Sequence, residues 1–121
     1  MNIKETQKAI HKNAIIKGFW DKDQQFGTLL MLVVSELGEC LEADRNDHHA
    51  DIKLLDNLLE NGGKFPEAFK IAIKDTVEDE IADTIIRLLD LAEKNNIDIE
   101  KHIELKMRYN AGRERLHGKN Y

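Results

Sequence analysis

Two segments of this chain repeat apolar residues at the 3.6-residue period of an α-helix for turn after turn, and that periodicity limits the fold more than any other feature. The first runs from about Gln25 to Arg45, with Leu29, Leu32, Val33, Leu37, Cys40 and Leu41 as a core-facing stripe. The second runs from about Pro66 to Lys94, with Phe69, Ile73, Val77, Ile81, Ile85, Leu88 and Ala92 along one seam. No strand alternation lasts beyond a few residues, and no fixed-period repeat or low-complexity tract is present. Short links between long amphipathic helices predict an all-α fold, an antiparallel bundle of four to five helices.

The remaining elements follow from breakers and caps. A first helix is expected over about Ile3 to Lys17, ended by Gly18, with the loop GFWDKDQQFG after it. A weaker helix within about Ala50 to Glu60 stops at Asn61, Gly62 and Gly63, and Pro66 suits the first turn of the next element. Asp98 caps a last helix through Ile103 and Met107 towards Leu116, with Gly112 a weak point. At 121 residues the chain reads as one domain, 1–121. Leu30, Met31, Val34, Ile86 and Leu89 lie off the bundle seam and need cover, which predicts self-association as a dimer or tetramer.

Charged residues at 34% and apolar ones at 41% exclude a disordered chain. The net charge of −5 argues against a nucleic-acid polymer as partner. Leu29 to Val34, the longest apolar run, is too short to span a bilayer, and the charged N-terminus lacks the pattern of a secretory signal, so no membrane association is expected. The single cysteine, Cys40, cannot form an internal disulfide and suggests a reducing compartment, hence a cytoplasmic protein.

Each long segment carries a pair of acids three residues apart, Glu36 with Glu39 in SELGECLEA and Glu80 with Asp83 in DEIADTII. Residues at that spacing share a helix face, with Cβ atoms roughly 5–6 Å apart, so each pair can close on one cation. A carboxylate beside an apolar stripe is costly unless something neutralises it, either a bundle-edge lysine or arginine or a bound ion. Acids without thiolate or imidazole suit Mg2+ better than zinc or copper. Asp75, Glu78 and Asp79 add negative charge nearby, whereas the tail KMRYNAGRERLHGKNY is basic. Carboxylates for a metal and cations for phosphate oxygens are what a metal-charged polyphosphate requires. Lys106, Asn110 and Arg113 share one face of the last helix, either a solvated surface or a phosphate contact. Arg87 can reach the same polyphosphate or pair with Asp83 or Asp90. His48 and His49 read as surface.

SELGE followed by DEIAD resembles the double acidic motif of the MazG-like all-α nucleoside triphosphate pyrophosphohydrolases. The resemblance covers most of the chain, including HKNAIIKGFWD before the first motif and the basic tail after the second. Ser35 departs from it where many members carry a further glutamate, as does the glycine-containing insert between Glu60 and Pro66. The resemblance implies Mg2+-dependent hydrolysis of a nucleoside triphosphate, often a deoxynucleotide, to monophosphate and pyrophosphate, with Mn2+ as a substitute. It implies metal ligands at Glu36, Glu39, Glu80 and Asp83, with Glu39 the favoured general base. It further implies phosphate contacts from Lys106, Asn110, Arg113 and Arg87, and a base pocket including His11 and Trp20. Three other readings compete. One is a non-catalytic helical interaction module, and another is a phosphoribosyl-nucleotide pyrophosphohydrolase. A di-iron carboxylate bundle ranks last because Glu-x-x-His is missing.

Overall fold

The computed structural model describes residues 1–119, apart from the side chain of His117, and these are all-α. Six α-helices follow one another: α1 (Ile3–Ile16), α2 (Phe26–Arg45), α3 (Ile52–Glu60), α4 (Phe65–Ala72), α5 (Val77–Lys94) and α6 (Ile99–Ala111). No strand occurs among the described residues, and no helix is long and apolar enough to cross a membrane. The fourth helix expected from the sequence is therefore two, α4 and α5, and the count rises to six. The break lies at Asp75, whose backbone takes a left-handed φ of 65°, and at Thr76. Thr76 is fully buried and caps α5: its hydroxyl donates to the Ile73 carbonyl at 2.7 Å and accepts from the Asp79 amide at 3.2 Å. The Asp79 carboxylate in turn accepts from the Asp75 amide at 2.9 Å. Together these reproduce the logic of a capping box, in which side chains satisfy amides that a helix start leaves without partners.

The chain divides into two compact units, Met1–Asp21 with Leu89–Tyr121, and Lys22–Leu88, the division falling within α5. In the first unit α1 packs on α6. The buried Gln7 of α1 donates to the Glu93 carboxylate at 3.1 Å and the Ile97 carbonyl at 2.8 Å. Gly18, with φ of 85°, ends α1, and Asp98 caps α6 by accepting from the Lys101 amide at 3.2 Å. Helix α6 stops at Gly112, and Leu116 lies in a separate short 3-10 turn over Arg115–Gly118.

In the second unit α3 packs on α4, and the link after α2 is fastened to both sides of the corner. The Val77 amide donates to the His48 carbonyl at 3.0 Å, and the Asp51 amide donates to the Ala72 carbonyl at 2.9 Å. Glu78 accepts from the Ala50 amide at 2.9 Å and contacts His49 Nδ1 at 3.0 Å. These contacts, the Ala50 amide foremost, hold the Glu78 carboxyl down to about 2.

Helix α2 does not bury the stripe expected of it. Its buried residues are Val33, Glu36 and Ala43, while Leu37 and Leu41 are each 50% exposed and Leu32 is also exposed. The helix is apolar around most of its circumference, so periodicity alone could not choose the inward side. The α5 seam is corrected in the same way: Ala92 is buried, but Ile81, Ile85 and Leu88 are exposed. Thr76→Ala should lower stability by about 1–2 kcal/mol, the range for losing a helix cap; urea denaturation monitored by circular dichroism checks it.

Candidate metal centre

Within the unit Lys22–Leu88, α2 supplies Glu36 and Glu39, and the first turns of α5 supply Glu80 and Asp83. Helix α5 points its N-terminal end, rich in Glu78, Asp79 and Glu80, at the corner, where the helix dipole favours negative charge. Carboxylate oxygens of Glu36, Glu80 and Asp83 lie within 4.8 Å of one another. Glu36 and Glu80 are 8% and 3% exposed, and Asp83 is more open than either. Glu39 is exposed and stands outside this trio, though near enough to Glu80 and Glu36 to act on both carboxyl groups. Three of the four expected ligands are thus gathered closely, with the fourth beside them.

Burial, reinforced by the neighbouring Glu36 and Glu39 carboxyl groups, pushes Glu80 up to about 8. Its Oε2 is buried and has no hydrogen-bond partner. Burial also acts to raise Glu36. Hydrogen bonds from Arg87, Glu80 and Glu39, with the Arg87 charge, outweigh that effect and hold Glu36 below the ordinary carboxylate value. Asp83 is raised by burial first and then by the charges of Asp79 and Glu36, with Arg87 opposing. These are the opposed shifts expected where several acids compete for too little compensating charge.

Arg87 pairs with neither of the acids suggested by sequence. Its Nε donates to Glu36 Oε1 at 2.8 Å, so the expected partners Asp83 and Asp90 are replaced by an acid on another helix. The preference is physical: Glu36 is the more buried carboxylate, and a guanidinium relieves more charge there. A cavity of about 350 Å³ adjoins the acids, lined by Glu39, Glu42, Ala43, Asn46, His48, Asp75 and Glu80. Asp75 and Asp79 form a second close group with Glu80, again with carboxylate oxygens within 4.8 Å. They read from sequence only as surplus charge; the missed signal was Thr-x-x-Asp at Thr76 to Asp79, which turns the chain and brings Asp75 back beside Glu80.

In the other unit, His11 and Trp20 meet on Asp90. His11 Nδ1 lies 2.6 Å from Asp90 Oδ1, and Trp20 Nε1 donates to the two carboxylate oxygens at 3.0 and 3.1 Å. The rings meet edge to face at 5.6 Å, and Lys94 Nζ stands 5.3 Å from the Trp20 ring. The two residues are therefore brought together, on an acid that the sequence reading had not placed in a site. Around the end of α6, Lys106 Nζ and Arg113 Cζ lie 5.1 and 5.3 Å from the Tyr109 ring centroid. Asn110 Oδ1 is buried without a hydrogen-bond partner. Leu105, Arg108, Tyr109, Gly112 and Arg113 line a cavity of about 490 Å³ there. Arg108 and Tyr109 are additions to the expected set.

Comparisons with protein-family models, with curated proteins and with solved structures find no match.

The donor set suits a hard divalent cation: it is all oxygen, two of its three residues are buried, and it includes one oxygen without a partner. A carboxyl raised when folded favours the folded state while protonated. Its contribution is present below the ordinary 4.5 and is lost as pH rises through about 8. In chelator, thermal stability should fall over that interval and Glu80→Gln should flatten the fall. At pH 8 Mg2+ should raise the wild-type melting temperature but leave that of Glu80→Gln nearly unchanged, as scanning calorimetry would show.

Proposed function

We propose that this chain is a Mg2+-dependent nucleoside triphosphate pyrophosphohydrolase of the MazG-like kind, yielding nucleoside monophosphate and pyrophosphate. The observation carrying the reading is the convergence of Glu36, Glu80 and Asp83 around a buried carboxylate oxygen that no protein donor satisfies. Glu36, Glu80 and Asp83 would hold the metal, with Glu39 beside them. Mg2+ bound there would neutralise phosphoryl charge and orient the anhydride for attack.

The protein's own groups supply the remainder. Glu39 is open to the cavity that Glu80 also lines, and it accepts the proton of the attacking water. One water is consumed and one phosphoanhydride bond breaks. Arg87 compensates Glu36 and keeps that carboxylate ionised for a ligand role. Phosphate contact by Lys106, Asn110 and Arg113, and base contact by His11 and Trp20, belong to the same proposal. His11 and Trp20 have a fixed geometry for that role, because Asp90 holds both ring N–H edges.

Self-association as a dimer or tetramer is part of the reading, supported by exposed apolar side chains on α2, namely Met31, Val34, Leu37 and Leu41. Light scattering at micromolar concentration should give at least twice the mass of one chain.

One observation favours the non-catalytic alternative: Glu36 already has a protein counter-cation in Arg87. Turnover separates the two readings. Pyrophosphate release from a panel of standard and modified nucleoside triphosphates should require Mg2+ and stop in chelator. Glu36→Gln and Asp83→Asn should each lower turnover by roughly two decades or more, since several kcal/mol of charge stabilisation depend on the ligands. Near wild-type turnover in both variants at saturating Mg2+ would remove the metal-site assignment.

A further inference from the structure

We propose that Asp90 is a positioning residue that sets the polarity of base recognition: by fixing the His11 ring proton on Nδ1, it leaves Nε2 to accept an N–H from the edge of a nucleobase. The proposal rests on the reading of His11 and Trp20 as base contacts. It adds the group that orients them and the kind of edge they read.

The three residues belong to one compact unit, His11 on α1, Trp20 in the turn after it and Asp90 near the end of α5. The Asp90 side chain is 19% exposed and that of His11 16%, so both are largely withdrawn from water. Among the described residues Asp90 forms no salt bridge with lysine or arginine. Lys94, one turn further along α5 and the ordinary partner for an acid at that spacing, stands instead 5.3 Å from the Trp20 ring centroid. The acid is met by ring nitrogens: Trp20 Nε1 donates to both carboxylate oxygens at 3.0 and 3.1 Å, and His11 Nδ1 lies 2.6 Å from Oδ1.

An ionised carboxylate only accepts, so the hydrogen between Nδ1 and Oδ1 sits on the ring. In the neutral imidazole that fixes the tautomer and leaves Nε2 bare. No hydrogen bond or ion pair among the described residues engages Nε2. The two rings meet edge to face at 65°, with the N–H edge of each directed at Asp90. Rings ordered before a ligand arrives lose little freedom when it binds. A planar heterocycle that lies against the indole and offers an N–H to Nε2 matches both groups.

Trp20 is the single tryptophan of the chain, so its fluorescence reports on this site alone. The full-length protein is titrated in chelator with the four standard deoxynucleoside monophosphates. At least one should change the emission of wild type. Asp90→Asn should weaken that binding about tenfold, because asparagine can donate to Nδ1 and move the ring proton to Nε2. Isothermal titration with deoxyribose 5-phosphate, which lacks a base, should give the same result for both proteins. Nitrogen-15 NMR at pH 8, with the His11 signals identified by their loss in His11→Gln, should place the ring proton on Nδ1 in wild type and on Nε2 in Asp90→Asn. A proton on Nε2 in wild type would overturn the proposal even if Asp90→Asn failed to fold. Unchanged nucleotide affinity in Asp90→Asn, or an equal loss for the sugar phosphate, would overturn it as well. If no nucleotide moves the wild-type emission while pyrophosphate release continues, the base contact falls and the hydrolase reading stands. Silence in both assays overturns both.

Discussion

Burying the Glu80 carboxyl is the constraint around which the Lys22–Leu88 unit is arranged. A carboxylate at 3% exposure is costly to ionise, and here two further acids approach it from α2. Burial and those two acids push its pKa up to about 8, which favours the protonated side chain at neutral pH. On the proposed metal reading, a cation at this side chain would have to displace that proton, which would couple metal affinity to pH.

The corner at Asp75 and Thr76 supplies the geometry. Had α4 run straight into α5, as apolar periodicity alone suggests, Asp75 would lie more than a turn before Glu80 along one helix. The left-handed residue, the buried threonine cap and the Asp79 side chain turn the chain instead. The loop carrying His48, Ala50 and Asp51 is then tied to the start of α5 by the Val77 amide and by Glu78, and to the end of α4 at Ala72. Local capping chemistry, rather than apolar burial, decides where the acids of α5 begin.

The helical class, the break at Gly18 and the cap at Asp98 were legible because each has a local cause in one or two residues. The two acid pairs were legible by spacing alone. The inward face of α2 was not, since leucines surround the helix and the small residue Ala43, not Leu41, is the one enclosed. Nor was the partner of Arg87, which depends on which carboxylate is buried, a property of the packed structure. Asp90 escaped notice for a similar reason: its role follows from two ring N–H groups distant in sequence that converge on it.

The ion pair between Arg87 and Glu36 would set a threshold for any ion in the proposed metal centre. The Arg87 side chain is 41% exposed and borders solvent, whereas that of Glu36 is 11% exposed and is held inside. An incoming ion must therefore offer more than the guanidinium it replaces or joins. A monovalent ion brings no more charge than Arg87 and lacks its directed hydrogen bond; a divalent ion brings twice the charge. On the proposed metal reading, the resident arginine would thus favour an ion of higher charge over a monovalent one.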